Sequence, residues 1–136
     1  MDVAERLEQL ALFADLSPTE LEVIAHSHDE DVFGEGERVL RRGLSGGNFY
    51  VILEGEASVV VGGNTVRRLG RGDFFGEISA LTGERPSADV VAETMLRCFV
   101  IPGNELEQLL LGHPEMMLRL LRLEARRLQT AIGWQM

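Results

Sequence analysis

Residues 72–90 read Gly-Asp-Phe-Phe-Gly-Glu-Ile-Ser-Ala-Leu-Thr-Gly-Glu-Arg-Pro-Ser-Ala-Asp-Val. A glycine at the mouth of a short helical turn exposes backbone N–H groups and lets a ligand approach the chain closely. Glu77 follows it and offers a carboxylate that accepts a hydrogen bond from a hydroxyl, and Arg85 precedes the small residues Ser87 and Ala88. A ribose phosphate requires such a hydroxyl acceptor, donors for its anion and small neighbours. The same residues also fit a tight turn with a surface Glu–Arg pair, so both interpretations stay open.

Short apolar segments separated by glycine turns surround this stretch and predict a β-rich region. Six strands are predicted, at residues 38–40, 48–53, 57–61, 65–69, 88–92 and 96–101. Gly62, Gly63 and Asn64 are three consecutive turn formers and predict a hairpin between two of these strands. Many short strands without intervening helices are typical of a sandwich or jelly roll rather than a doubly wound sheet.

Two helices are predicted before the β region. Residues 17–20, Ser-Pro-Thr-Glu, form a capping box in which Ser17 begins a helix and Glu20 reaches back to it. An earlier short amphipathic helix is predicted from the apolar spacing of Val3, Leu7, Leu10 and Ala11. The pair is expected to pack as a helical hairpin against a larger body.

Two helices are also predicted after the β region. Residues 104–111 form a short one that Gly112 stops, and Pro114 begins a longer one. Its expected apolar side comprises Met117, Leu120, Leu121, Leu128 and Ala131, while much of the remainder is Arg119, Arg122, Arg126 and Arg127. The arginines fit a solvated face with nearby glutamates, and they equally fit a helix that serves as a lid or a dimer seam.

Composition excludes several classes of protein. The chain has 136 residues, a formal net charge of −9 and no lysine, so non-specific binding to nucleic acid or to an anionic membrane is not expected. No apolar run reaches the roughly 18–20 residues of a spanning helix. The single Cys98 excludes an intrachain disulfide framework and fits a reducing cytosol. No nucleophile or Walker-type motif is present and no histidine falls in a predicted strand, so we expect neither an enzyme nor a metal site.

The ordered motifs resemble those of the cyclic nucleotide-binding domain family, which includes catabolite-activator-type regulators, kinase regulatory subunits and gated ion channels. The phosphate-binding cassette of that family runs Phe-Gly-Glu-(Leu/Ile), a short helix, then Pro-Arg-(Ser/Ala)-Ala and a strand. Residues 75–78 match its first half and residues 87–90 match its close. Residues 12–21 resemble the family's helical lead-in, and residues 49–55 resemble its central strand and turn. The resemblance therefore covers essentially the whole chain.

The resemblance implies a mainly β fold with flanking α-helices. The β part would be a double-stranded β-helix, or jelly roll, with an N-terminal helical pair and C-terminal lid helices. We expect one domain over residues 1–136, composed of a helical lead-in at 1–28, a β roll at 29–102 that contains the cassette at 74–90, and C-terminal helices at 103–136.

The resemblance also implies a ligand, cAMP or cGMP, and a set of contacts. Glu77 would hold the ribose 2′-hydroxyl, backbone or hydroxyl groups nearby would bind the cyclic phosphate, and an arginine would balance its charge. Ser87 offers a hydroxyl of the kind that the family associates with cGMP. The expected ligand-binding residues are Gly76, Glu77, Ile78, Ser79, Arg85, Pro86, Ser87 and Ala88.

The sequence departs from the family at the arginine. Pro86 stands where the family usually has arginine, and Arg85 comes one residue earlier. Pro86 removes a backbone donor and biases Arg85 toward an extended conformation, in which neighbouring side chains point in roughly opposite directions. Arg85 is therefore expected to face away from the phosphate unless the loop shifts.

We expect a cytoplasmic regulatory module that binds a cyclic nucleotide and repositions its C-terminal helices, with cAMP as the expected ligand and cGMP as the alternative. The alternative is a degenerate domain that no longer binds nucleotide and serves in dimerisation or docking, with Met117, Leu121 and Leu128 in a helix–helix seam. The expected protein partner is a second copy, through the C-terminal helix, or an effector; this chain alone is not expected to read nucleic acid or bind a membrane. Trp134 is expected to pack on a neighbour; alternatively Trp134, Arg126 or Arg127 would cap the bound base.

Overall fold

The computed structural model describes residues 1–44 and 47–133 of the chain. Within these ranges eight strands form two four-stranded antiparallel sheets, with helices before and after them. The arrangement confirms the predicted jelly roll with flanking helices. The prediction for Trp134 lies outside the described residues.

The elements follow one another in a simple order along the chain. The helical elements are α1 (Val3–Glu8), a 3₁₀ turn (Ala11–Phe13), α2 (Pro18–Ser27), α3 (Glu77–Thr82), α4 (Gly103–Gly112) and α5 (Pro114–Ile132). The strands are β1 (Asp29–Phe33), β2 (Arg38–Leu40), β3 (Asn48–Glu54), β4 (Ala57–Val61), β5 (Asn64–Leu69), β6 (Phe74–Phe75), β7 (Asp89–Ala92) and β8 (Leu96–Pro102). One sheet has the order β1-β8-β3-β6 and the other β2-β7-β4-β5. In the described ranges no helix is both long and apolar enough to cross a bilayer.

The core has two layers because the central strand β3 is buried on both faces. Phe49, Val51 and Leu53 pack toward the helices, where they meet residues of the lead-in and of α4 and α5. Tyr50 and Ile52 point the other way, into the space between the two sheets. Alternation along one strand thus places the helices on one side of a sheet and leaves the interior of the roll on the other.

The six predicted strands are all present, whereas β1 and β6 were not predicted. Strand β1 contains Asp29, Glu30 and Asp31, so its charges conceal the alternation of a strand. It lies at the edge of its sheet and pairs with β8 alone, where Arg97 donates to Glu30 at 3.1 Å. Strand β6 is only two residues long, which is too short for a periodic signal.

The predicted capping box is confirmed. The Ser17 hydroxyl accepts a hydrogen bond from the Glu20 backbone N–H at 3.2 Å, and the Glu20 carboxylate accepts one from the Ser17 N–H at 2.9 Å. The earlier helix is shorter than its apolar spacing indicated, since α1 ends at Glu8 and a separate 3₁₀ turn follows. Leu7 and Leu10 are nevertheless buried, as expected.

The buried side of α5 differs from the predicted one. Met116 and Leu120 are buried against the lead-in, while Met117, Leu121 and Leu128 are exposed. The helix carries two candidate apolar stripes, and contact with the lead-in selects the one that begins at Met116. Of the predicted apolar side, Leu120 is buried, whereas Met117, Leu121, Leu128 and Ala131 are exposed.

Candidate functional site

A cavity of about 330 Å³, the cassette cavity, lies against the segment between β6 and β7. Its volume falls in the range of about 300–1,000 Å³ that is usual for small-molecule sites. The structure brings to it seven of the eight predicted site residues, Gly76, Glu77, Ile78, Ser79, Pro86, Ser87 and Ala88. The other walls come from strands β2, β4, β5, β6 and β7 and from one side of α5.

Gly76 begins helix α3 in a conformation that requires glycine. Its φ is +84°, and a Cβ atom at this position would collide with the backbone carbonyl oxygen of Asn48. The first hydrogen bond of the turn runs from the Ala80 N–H to the Gly76 carbonyl at 3.0 Å. The N–H groups of Ile78 and Ser79 precede that bond, so they are donors without a partner inside the helix.

Glu77 is the buried acid of the cavity, with a side chain only 8% exposed. Its Oε1 lies 3.4 Å from Nη1 of Arg127 on α5. No donor among the described residues reaches Oε2, which is also buried. A buried carboxylate oxygen without a donor is costly, so Glu77 is a group that a ligand hydroxyl would satisfy.

The environment of Glu77 disfavours its charge. Burial, together with the nearby carboxylate of Glu124, raises the pKa of Glu77 from 4.5 to about 7, although its own backbone N–H and Arg127 act in the opposite direction. At neutral pH the carboxyl therefore exchanges between its neutral and charged forms. A donor to this carboxyl shifts it toward the charged form.

Arg127 connects α5 to the cassette through several contacts at once. Its Nη2 donates to the Phe74 carbonyl at 2.7 Å, and its guanidinium carbon lies 3.9 Å from the centre of the Phe74 ring. Its Nη1 also lies 3.3 Å from Oε1 of Glu124, one helical turn back. The sequence analysis placed Arg127 in the arginine stripe and gave it as one candidate cap for the bound base. Arg127 follows buried Leu120 by seven residues, or about two helical turns, and this spacing was the signal that it lies on the inner side of α5.

Arg67 is a second cationic residue of the cavity that the sequence analysis missed. It lies on β5 two residues before buried Leu69, so both side chains point to the inside of the roll. Its pairing with Val59 on β4 agrees with that direction. Within the described ranges Arg67 makes no side-chain hydrogen bond or ion pair. The alternation of β5 was the signal for it.

Arg85 is the predicted site residue that the structure does not bring to the cavity. Its Nη1 donates to the backbone carbonyl of Gly43 at 3.2 Å, and the Gly43 N–H donates to the Pro86 carbonyl at 2.9 Å. The two bonds hold residues 85–86 against the turn at Gly43. As the extended backbone before a proline implies, Pro86 lines the cavity and Arg85 faces away. Arg85 is thus not a cavity residue in this structure.

Comparison with known proteins identifies the fold and the family. A sequence profile of the cyclic nucleotide-binding domain matches residues 30–113. Over 107 residues the chain is 33% identical to a cGMP-dependent protein kinase of Toxoplasma gondii, an alignment that covers 79% of this chain and 11% of the kinase. The chain spans about a tenth of the length of the curated relatives it matches.

Two solved structures show the same architecture. The Thermus thermophilus catabolite activator protein aligns with a TM-score of 0.78 and 27% identity, over 88% of this chain and 59% of that one. The regulatory subunit of a cAMP-independent protein kinase A from Trypanosoma brucei aligns with a TM-score of 0.74 and 29% identity, over 85% and 44%. The profile match includes the β roll and the whole cassette, with the buried acid and the left-handed glycine before it. The chain belongs to the cyclic nucleotide-binding domain family.

Proposed function

We propose that this domain is a regulatory sensor that binds a cyclic nucleotide in the cassette cavity and transmits binding to α5. The observation that carries the proposal is the Glu77 carboxyl. It lines the cavity and lacks a donor at Oε2, while Oε1 lies 3.4 Å from Arg127 of α5. One side chain therefore has a place for a ligand and a contact with the helix that would respond to it.

The ligand contacts follow from the groups that line the cavity. The ribose 2′-hydroxyl donates to Glu77, and the N–H groups of Ile78 and Ser79 with the Ser87 hydroxyl donate to the cyclic phosphate. Gly76 allows the close approach, while Pro86 and Ala88 form apolar wall. A hydrogen bond to a charged group contributes about 1.5–3 kcal/mol, so Glu77 alone accounts for roughly one to two decades of affinity.

Arg67 favours guanine over adenine as the base. It lines the cassette cavity from β5, whereas the groups proposed to bind the phosphate lie on the segment between β6 and β7. A guanidinium donates two hydrogen bonds to O6 and N7 of guanine, whereas adenine presents an amino donor at the corresponding position. We therefore propose that cGMP binds more tightly than cAMP. The Toxoplasma relative is named as a cGMP-dependent kinase, which agrees with this choice.

Coupling to α5 follows from the chemistry of one carboxyl group. A ribose hydroxyl that donates to Glu77 favours its charged form, and the charged form attracts Arg127 more strongly. Nucleotide binding then stabilises the position of α5, and a fixed α5 raises the affinity for nucleotide by the same factor. The lead-in, the β roll and the C-terminal helices would thus act as one sensor unit over residues 1–136.

The partner is proposed to be a regulated protein or a second copy of the chain in the cytoplasm, and the role regulatory rather than catalytic. Leu121 and Leu128 on α5 are 64% and 59% exposed and lie seven residues apart, so they share one face of the helix. Met117 is also exposed, at 40%. This face is available to a partner in either case.

One observation favours the second candidate, a degenerate domain that acts only in docking. Arg85 is bound to Gly43 and Pro86 occupies the usual arginine position, so the phosphate has no arginine from the cassette. The Trypanosoma brucei relative is described as part of a cAMP-independent kinase. Retention of the buried acid Glu77 favours the sensor over this alternative.

The test is a calorimetric titration of the chain with cGMP, cAMP and, as a control, 5′-GMP. We expect saturable binding of the cyclic nucleotides and a gain of about 2.7 kcal/mol in unfolding free energy at a hundredfold excess over Kd. Glu77→Ala should abolish most of the affinity, and Glu84→Ala, an exposed cassette acid outside the cavity, should leave it unchanged. Absence of saturable binding at millimolar cyclic nucleotide would establish the degenerate domain.

A further inference from the structure

A larger cavity of about 510 Å³, the lead-in cavity, lies on the other side of Arg67 and Arg127. It is a half-open cavity lined by the lead-in at residues 9–12, by Arg67 of β5, by residues 71–74 that follow β5, and by one side of α5. Four arginines line it, Arg67, Arg71, Arg126 and Arg127, against the single carboxylate of Asp73. None of the cassette residues 76–88 takes part in it.

The positive charge of this cavity is only partly compensated. Asp73 Oδ2 accepts a hydrogen bond from the Gly70 N–H at 2.9 Å, and Arg71 donates to the neutral side chain of Gln9. Arg127 has its carboxylate partners on the cassette side. In residues 1–44 and 47–133 no carboxylate lies within ion-pair distance of Arg67, Arg71 or Arg126. A chain with a net charge of −9 thus gathers cations at one place.

We propose that the lead-in cavity is a second binding site, for a small anion that carries two or more phosphate charges. Planar guanidinium groups donate paired hydrogen bonds to phosphate oxygens, and several of them around one volume select a multiply charged ligand over a single charge. Buried Leu10, Leu12 and Phe74 line the same cavity. Their apolar surface lowers the local dielectric constant and strengthens each of these contacts.

The site joins the lead-in to α5. The anion would contact Arg126 on α5 and Arg71 on the β5–β6 turn at once, beside Leu10 and Leu12 of the lead-in. A ligand in this position favours the arrangement in which α5 lies against the lead-in. Arg67, Phe74 and Arg127 line both cavities, so occupation of one is expected to change the affinity of the other, by the same factor in both directions. Only this last expectation rests on the proposed nucleotide binding.

The test uses inorganic pyrophosphate as the probe, titrated calorimetrically into the full chain at constant ionic strength. Two double variants remove the same charge: Arg71→Ala with Arg126→Ala takes away cavity arginines, and Arg68→Ala with Arg122→Ala takes away exposed arginines of β5 and α5 that do not line it. We expect pyrophosphate to bind the natural chain saturably. Its affinity should be at least about tenfold lower in the first double variant and unchanged in the second.

Three results would overturn the proposal. Equal weakening in both double variants would show that pyrophosphate responds to net charge alone, and a linear response matched by sodium chloride would show that no site exists. Binding of an acidic peptide without binding of pyrophosphate would show that the ligand is a protein segment rather than a small anion. A cyclic nucleotide titration on the same variants separates this result from failure of the cassette site, since cGMP binding does not require Arg71 or Arg126.

Discussion

Among the described residues, two arginines of helix α5 contact carboxylates in other parts of the chain, Arg119 and Arg127, and these two contacts differ in kind. Near its start Arg119 binds Asp15 of the lead-in with two hydrogen bonds, of 2.7 and 3.2 Å. Near its end Arg127 lies 3.4 Å from Glu77 of the cassette. The hydrogen bond from Arg119 lowers the pKa of exposed Asp15, whereas burial raises the pKa of Glu77 to about 7.

The Arg119–Asp15 contact only anchors α5, whereas the Arg127–Glu77 contact is one that a ligand would change. Asp15 is already satisfied by its arginine, so nothing further is gained by bringing it another donor. Glu77 is buried with a longer contact and a free oxygen, so a ligand donor has a large effect on it. We therefore propose that the unsatisfied contact is the one at which binding would change the hold on α5.

The largest expected effect comes from breaking the buried contact with Glu77→Gln. A carboxyl whose pKa is raised by folding stabilises the protein below about pH 4.5, and that stability is lost as the pH rises through about 7. Glutamine carries no charge at any pH. The free energy of unfolding of the variant should therefore be about 3 kcal/mol higher than that of the natural chain at about pH 8, and equal to it at about pH 4. Urea unfolding at both pH values measures this, and an equal or lower stability of the variant in alkali would contradict the buried-charge interpretation.

The same substitution should impair function while it improves stability. Without the charged acceptor for the ribose hydroxyl, Glu77→Gln is expected to bind cGMP about 10- to 100-fold more weakly. Asp15→Asn breaks the exposed contact and is the matched control, with unchanged affinity. Calorimetric titration of both variants tests the comparison, and equal losses would mean that α5 position alone sets the affinity.

Arg67→Ala tests the proposed contact between this residue and the base of the nucleotide. The bidentate contact to guanine contributes about 1–3 kcal/mol of discrimination, so the preference for cGMP over cAMP should fall by roughly tenfold or more. Arg68→Ala, on the neighbouring and outward-facing position of β5, is the control. A selectivity that is unchanged in Arg67→Ala would remove this residue from the site.

The smallest effect is expected from Asp15→Asn on stability. A carboxyl whose pKa is lowered by folding stabilises the protein above its ordinary pKa, near 3.8, and that stability is lost as the pH falls through the lowered value. The variant should thus be slightly less stable at neutral pH and equal to the natural chain in strong acid. This is the opposite trend to that of Glu77→Gln. Thermal unfolding of both variants between strong acid and neutral pH measures these trends in stability. A trend of the opposite sign in either variant would contradict the prediction.

Local signals in the sequence account for most of the fold. The capping box at Ser17, the turn at Gly62 and Gly63, and the alternating strands each depend on neighbours a few residues away, and the structure has all of them. Edge strand β1 was hidden by its acids, because an exposed edge tolerates charges that a central strand excludes.

Of the two cavity arginines, Arg67 was accessible from the alternation of β5, whereas Arg127 depends on contacts that no local pattern specifies. Arg127 reaches the Phe74 carbonyl, 53 residues earlier, and does so only because α5 packs with Met116 and Leu120 inward. That choice between two apolar stripes is made by the lead-in. The direction of Arg85 was accessible, since the effect of Pro86 on its neighbour is local.

Hydrogen exchange along α5 tests the central claim, that Glu77 links the nucleotide to this helix, most directly. The amides of Pro114–Ile132 are followed with and without cGMP in the natural chain and in Glu77→Gln, at nucleotide concentrations that give equal saturation. We expect exchange near Arg127 to slow by about tenfold in the natural chain and to stay unchanged in the variant. Equal slowing in both proteins would contradict the account, because the nucleotide would then hold α5 without Glu77.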